Sequence, residues 1–143
     1  MASFVKFHTF VEKLAEGAHN LGSDTLKLAL TDTAPTAASD TGFLPGSSHP
    51  PPTNANGYTS GGNTLTVSSS AQSGGTYKLV CADTTFTASG GTLGPFRYAI
   101  LYNDTAASDE VIGYWDLGAS ETIADGDGRT LDLSATNGVL QIT

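Results

Sequence analysis

Phe96-Arg97-Tyr98-Ala99-Ile100-Leu101-Tyr102-Asn103 is the stretch that decides the fold. Large apolar residues at 96, 98, 100 and 102 alternate with 97, 99, 101 and 103. That period of two places successive side chains on opposite faces of a strand. Ala99 and Leu101, in the second set, are apolar as well. A strand apolar on both faces belongs inside a sheet with cover on each side.

Other strands follow outward from this one. Leu26, Leu28 and Leu30 share one face of 25–31. Leu65 and Val67 mark a short strand that ends in Ser68-Ser69-Ser70, and Gly74-Gly75 makes a turn. In the following run Tyr77, Leu79 and Cys81 hold one parity, and Thr84 and Phe86 hold the other. The switch near Ala82-Asp83 predicts a bulge or a bend between sheets. Ser89-Gly90-Gly91 is a loop; then 111–117 puts Val111, Gly113, Trp115 and Leu117 on one side. Strands over 130–136 and 138–143 meet at Asn137-Gly138, a dipeptide suited to the positive φ angles of a hairpin turn. Short strands divided by Gly-rich turns predict a mainly β fold, an antiparallel β-sandwich or barrel.

One helix is expected, over 9–20. Thr9-Phe10-Val11-Glu12 fits the capping box, in which Thr9 and Glu12 satisfy each other's free backbone N–H groups. Phe10, Leu14 and Ala18 then share a face, with Val11 and Ala15 beside them. Gly17 weakens this helix, and Asn20 or Gly22 supplies its left-handed stop. A helix this short needs a sheet to pack on.

The segment 33–62 breaks the pattern. It lacks periodicity and holds five of the six prolines, Pro50-Pro51-Pro52 among them. Loops of this length are uncommon in compact domains. It reads either as a surface loop or as an extended arm that orders against a neighbouring subunit, with polyproline stiffness lowering the entropy lost on docking. Pro35, Phe43, Leu44, Pro45, Pro50, Pro51, Pro52 and Tyr58 are the candidate contact residues of such an arm.

The composition fits one domain over 1–143. The chain has 17 Gly, 20 Thr and 14 Ser, and only 14% charged residues against about 25% in ordinary domains. Heptads and dense charge are both missing, which sets aside a coiled coil and a disordered chain. Area scaling lets about two-thirds of the surface be buried, so no staple is needed. The single Cys81 fits synthesis in a reducing cytoplasm. The net charge of −8 and the scatter of Lys6, Lys13, Lys27, Lys78, Arg97 and Arg129 argue against nucleic-acid partners and anionic membranes. The first ten residues lack the apolar block of a signal peptide.

Each chemical lead has a plainer reading. His8, His19 and His49 lack metal-ligand spacing, and Asp125-Gly126-Asp127-Gly128 reads as a tight turn. Glu12 and Glu16 read as a solvated helix face. Trp115, Tyr114, Tyr98 and Tyr102 read as core before they read as a sugar platform. No phosphate loop and no Gly-x-Ser-x-Gly is present. The expectation is a protein that is not an enzyme, with no catalytic residue, cofactor or metal.

Phe7-His8-Thr9-Phe10-Val11-Glu12-Lys13-Leu14-Ala15-Glu16-Gly17-Ala18-His19-Asn20-Leu21, with Thr25-Leu26-Lys27-Leu28-Ala29-Leu30-Thr31, resembles small virion structural proteins of tailed bacteriophages. Asn56-Gly57-Tyr58-Thr59-Ser60-Gly61-Gly62, Gly94-Pro95-Phe96-Arg97-Tyr98-Ala99 and Asn137-Gly138-Val139-Leu140 are similar to the same group. The resemblance spans most of the chain and departs mainly over the proline-rich 35–53. It implies a virion component, made in the cytoplasm of a host bacterium, that contacts the major capsid protein or other virion subunits. It brings no catalytic residues. The acidic surface suits the outside of a shell, away from DNA phosphates. The expected role is a capsid decoration (cement) protein, acting as a homo-oligomer. The alternatives are a tail or neck component (a tube, adaptor or fibre-base subunit) and a host-surface carbohydrate-binding module.

Overall fold

The computed structural model describes residues 4–43 and 48–143. In chain order its elements are β1 (Phe4–Lys6), α1 (His8–Ala15), β2 (Leu26–Thr31), β3 (Asn54–Ala55), β4 (Asn63–Thr64), β5 (Val67–Ser73), β6 (Thr76–Cys81), β7 (Thr84–Thr87), β8 (Leu93–Asn103), β9 (Val111–Ile123), β10 (Gly128–Leu131) and β11 (Leu140–Ile142). The fold is mainly β, every strand pair is antiparallel, and one short helix lies near the N-terminus.

β8 is the central strand its alternation predicts. It lies between β9 and β2 in the order β1-β9-β8-β2-β4, and β3 pairs with its first residues. Its two faces go to different places. Ala99 and Leu101 enter the main core with Leu26, Leu28 and Leu30 of β2. Ile100 and Tyr102 point the other way and pack with Ala29, Phe7, Phe43 and Val111. The remaining strands form two smaller sheets, β7 with β10 and β11-β6-β5. Leu79, Phe86, Leu131 and Leu140 carry these sheets into the same main core. Folded accessible surface is 6732 Å², close to the roughly 7,000 Å² that scaling gives for this mass.

The parity switch at Ala82-Asp83 is a bend between sheets. The chain leaves β6 in one sheet and enters β7 in another. The Asp83 carboxylate secures this corner by accepting from the backbone N–H groups of Leu133 (2.9 Å) and Ser134 (3.1 Å). The Leu133 bond, followed by those from Ser134, holds the Asp83 carboxyl below its ordinary pKa.

Three local expectations change. The helix runs over His8–Ala15 rather than 9–20, and its N-cap is Phe7, with no side-chain capping bond. Thr9 already lies in the first turn, so the capping box does not form. Tertiary packing sets the start instead: Phe7 is buried against Tyr114, and the His8 N–H donates to the Ala37 carbonyl. Gly17, at φ +81°, is the stop. Gly17 N–H bonds to Leu14 O and Ala18 N–H to Lys13 O, the two-bond Schellman closure. Phe10 and Leu14 face the core, while Val11, expected beside them, is 52% exposed.

β9 is longer than 111–117 and carries a bulge. Leu101 pairs with Gly113 and Tyr102 with Val111, which leaves Ile112 as the extra residue. Val111 therefore sits in the second cluster, while Trp115 sits in the main core. Gly113 leaves the space over which the Phe4 ring lies. Asn137-Gly138 also departs from expectation. β10 pairs with β7 and β11 pairs with β6, so this turn links two sheets rather than closing a hairpin. Only Gly138 has positive φ there, at +67°.

Gly62 has φ +89°, and a Cβ at that position would collide with the Leu28 carbonyl of β2. The Gly62→Ala variant is expected to lose about 2 kcal/mol or more in urea unfolding. Gly74→Ala, with open space around it, is expected to lose only about 1 kcal/mol.

Candidate functional site

Pro35, Phe43, Pro50, Pro51, Pro52 and Tyr58 lie among the described residues; Leu44 and Pro45 lie outside them. The described residues of the segment, 33–43 and 48–62, lie on their own domain. Asp40 organises its first part: Asp40 Oδ2 accepts from the Thr36 N–H at 2.7 Å and lies 3.0 Å from His49 Nε2. His49 is 2% exposed. Phe43 is buried and stacks on Tyr102, with ring centroids 4.5 Å apart. Its N–H donates to Asp109 O at 2.8 Å, and Gly42 bridges to Glu110.

The second part is held just as firmly. β3 pairs with β8 at Gly94 and Leu93. The Tyr58 hydroxyl accepts from the Leu30 N–H at 3.0 Å, and its ring stacks on Phe86. Burial pushes the Tyr58 phenol up, and the Leu30 bond opposes that. The Tyr102 hydroxyl donates to Gly61 O at 2.7 Å. Pro35 and Pro52 are buried, whereas Pro50 and Pro51 are exposed. Of the six described candidates, Pro35, Phe43 and Pro52 face their own domain. The described outward candidates are Pro50 and Pro51, while Tyr58 is half-buried against the main core. Sequence reasoning missed this because the anchors are single residues in an aperiodic run. The one available signal was two aromatics in an otherwise polar, Pro-rich stretch.

A second polar cluster lies at the end of β8. Asn103 is fully buried, and its Nδ2 donates to Asp24 Oδ2 at 2.7 Å and to His19 Nδ1 at 3.1 Å. Its Oδ1 accepts from the N–H groups of Thr105 and Ala106. One side chain thus ties together the loops that follow the helix and β8. His19 Nε2 is buried with no hydrogen-bond partner. Burial is the largest influence on His19 and lowers its pKa; Glu110 and Asp24 oppose that shift.

The other chemical leads resolve into structure. Trp115 is 4% exposed and packs on Phe4, and Tyr102 is buried, so these two rings offer no sugar platform. The Asp125 carboxylate accepts from the Gly90 N–H at 3.0 Å within a turn. Lys13 pairs with Glu16 at 3.3 Å and lies 3.9 Å from Glu12. Cys81 is buried, and burial pushes its thiol up to about 11, so it stays protonated and unreactive at neutral pH. Among the described residues, no group of three or more His, Cys, Asp or Glu is placed to hold a metal ion. No helix among them is long and apolar enough to cross a membrane. A shallow recess of about 400 Å³ lies between α1 and β11, floored by Phe4, Phe10, Leu14 and Leu140.

Compared with known proteins, the chain matches no family model, no curated protein and no solved structure.

Two outcomes are expected. Phe43→Ala should cost about 3–5 kcal/mol in chemical denaturation, as for a packed core ring. A cost near zero would mean that the residue does not pack on Tyr102. His19 sets a pH dependence: its folded pKa lies below the unfolded value of about 6.5. Below that pH the unfolded chain binds a proton that the folded chain resists, so stability declines as pH falls. Melting temperatures from about pH 7.5 to 5.5 should fall less steeply for His19→Gln than for the wild type.

Proposed function

We propose that this chain is a non-enzymatic structural protein of a tailed-bacteriophage virion, a capsid decoration protein that binds and stabilises the outer shell as a homo-oligomer. The observation that carries the reading is the pair of exposed prolines, Pro50 and Pro51, in a segment whose described residues are anchored on either side of them. Phe43 and Tyr58 hold the segment at two points, so Pro50 and Pro51 are presented at little further entropic cost. Clasping then comes from a preordered ridge rather than from a swinging arm.

Charge supports the outward placement. Of the six basic residues, Lys13, Lys27, Arg97 and Arg129 are paired with carboxylates, Arg97 to Asp116 through two bonds of 2.8 and 3.0 Å. With a net charge of −8, the surface repels packaged DNA and favours the shell's exterior. The virion location itself rests on the sequence resemblance. Many weak contacts suffice for such a protein, since repetition over a shell multiplies them.

Particles made with and without the protein test this reading by heat release of DNA. Particles lacking it are expected to release DNA at a lower temperature, and Pro50→Gly/Pro51→Gly particles are expected to fall between. Equal release temperatures with and without the protein would rule out cementing.

A further inference from the structure

β5 is the longest strand at a sheet edge among the described residues. It has seven residues, against two to four in β1, β3, β4, β7, β10 and β11. On one side it pairs with β6. On the other, no backbone group of residues 68–73 meets a backbone partner among the described residues. Folded proteins normally blunt such edges with short strands, charge, proline or bulges. β1 carries Lys6 and β10 carries Arg129. Val67-Ser68-Ser69-Ser70-Ala71-Gln72-Ser73 carries neither charge nor proline. Its one irregularity is the register skip at Ser68, which leaves Ser69 to Ser73 in regular register.

The geometry of the hairpin sets which groups point outward. Gly74 and Gly75, at φ +60° and +85°, form the two-residue turn that closes Ser73 on Thr76. That closing pair exchanges hydrogen bonds, and bonding alternates along an antiparallel ladder. Ser69, Ala71 and Ser73 therefore bond to β6, while Ser70 and Gln72 direct their N–H and C=O groups away from it.

Charge selects the occupant. The chain bears −8, so two copies repel one another over most of their surfaces. Between Asp40 and Lys78, however, the sequence has no Asp, Glu, Lys or Arg at all. β5 lies within that run, and the one charged residue in the three strands of its sheet is Lys78, opposite Ala71 on β6 with its amine held by the Thr136 carbonyl at 2.9 Å, so a second copy can approach this sheet without opposing carboxylates. A two-fold axis through Ala71 would set Ser70 against Gln72 and Ser69 against Ser73. Ala71 would meet its own counterpart at the closely spaced, non-bonded position, where a methyl group fits.

We propose that β5 is the self-association edge of this protein: two copies join β5 to β5, antiparallel about Ala71, into one continuous sheet. This deepens the homo-oligomer part of the proposed function and is independent of the virion location. A failure here leaves the particle experiment untouched, and the reverse also holds.

Sedimentation velocity on the purified full chain, from about 1 to 100 µM, provides the test. The wild type should form a concentration-dependent dimer. Ala71→Lys, at an exposed position, should weaken that dimer about ten-fold or more by setting two cations face to face, with circular dichroism unchanged. Gln72→Pro removes an outward N–H and should also dissociate it. Amide exchange at Ser70 and Gln72 should be slow in the dimer and fast in the Ala71→Lys monomer. A wild type that stays monomeric at 100 µM would overturn the proposal. So would a dimer that Ala71→Lys leaves intact but Val11→Asp dissociates, because that places the interface at the recess beside α1. Pairing of β5 only with an added capsid-protein strand would overturn it too.

Discussion

Burial of β8 and β2 on both faces is the constraint on which the rest depends. A strand covered on one side needs one packing partner, whereas these need two. On one side the cover comes from the two smaller sheets and Phe10. On the other it comes from Phe7 and Phe43, drawn from distant parts of the chain, which pack with Ala29, Ile100 and Tyr102. Each fully buried large apolar side chain contributes about 1.5–3 kcal/mol relative to exposure, so neither layer is dispensable in a marginally stable domain. The aperiodic segment 33–62 is therefore structural before it is anything else, because its Phe43 closes the second layer.

How legible was this in the sequence? Alternation is legible where the backbone is regular: Leu26, Leu28 and Leu30 share a face, and β8 is central. The parity change at Ala82-Asp83 was visible because it shifts the apolar set from odd to even positions. The bulge at Ile112 was not, because Val111 and Ile112 are both apolar and either register looks acceptable. Asn137-Gly138 misled because turn chemistry is local, while the choice of strand partner is decided by the core. The helix start misled for the same reason: burial of Phe7 outweighed the cap that Thr9 and Glu12 offered. In the candidate site, Pro50 and Pro51 stand outward as an arm would require. Phe43, Pro35 and Pro52 turn inward. Nothing in a one-dimensional pattern tells an aromatic that will stack on Tyr102 from one that awaits a partner.

The surface is polar with few charges. Hydroxyls of Thr and Ser lie at many outward strand positions, and those of Thr85 and Thr130 bond to one another at 2.7 Å. Such a surface is hydrated without holding a strong local potential. It also tolerates close approach of another hydroxyl-rich face, because neither side must strip water from a buried ion. For a protein proposed to work by assembly, that is a more useful property than a densely charged exterior.

The order of strands in the large sheet also sets a timetable. β1 and β2 precede their main partners by a long stretch: β1 pairs with β9 and β2 pairs with β8, roughly 70 to 110 residues later in the chain. On a ribosome β2 waits for β8, and β1 waits for Gly113 to Trp115 near the start of β9. The hairpin of β5 and β6 can close on its own meanwhile, since its turn is local. Synthesis thus yields a late closure of the large sheet, once β8 and β9 are both available.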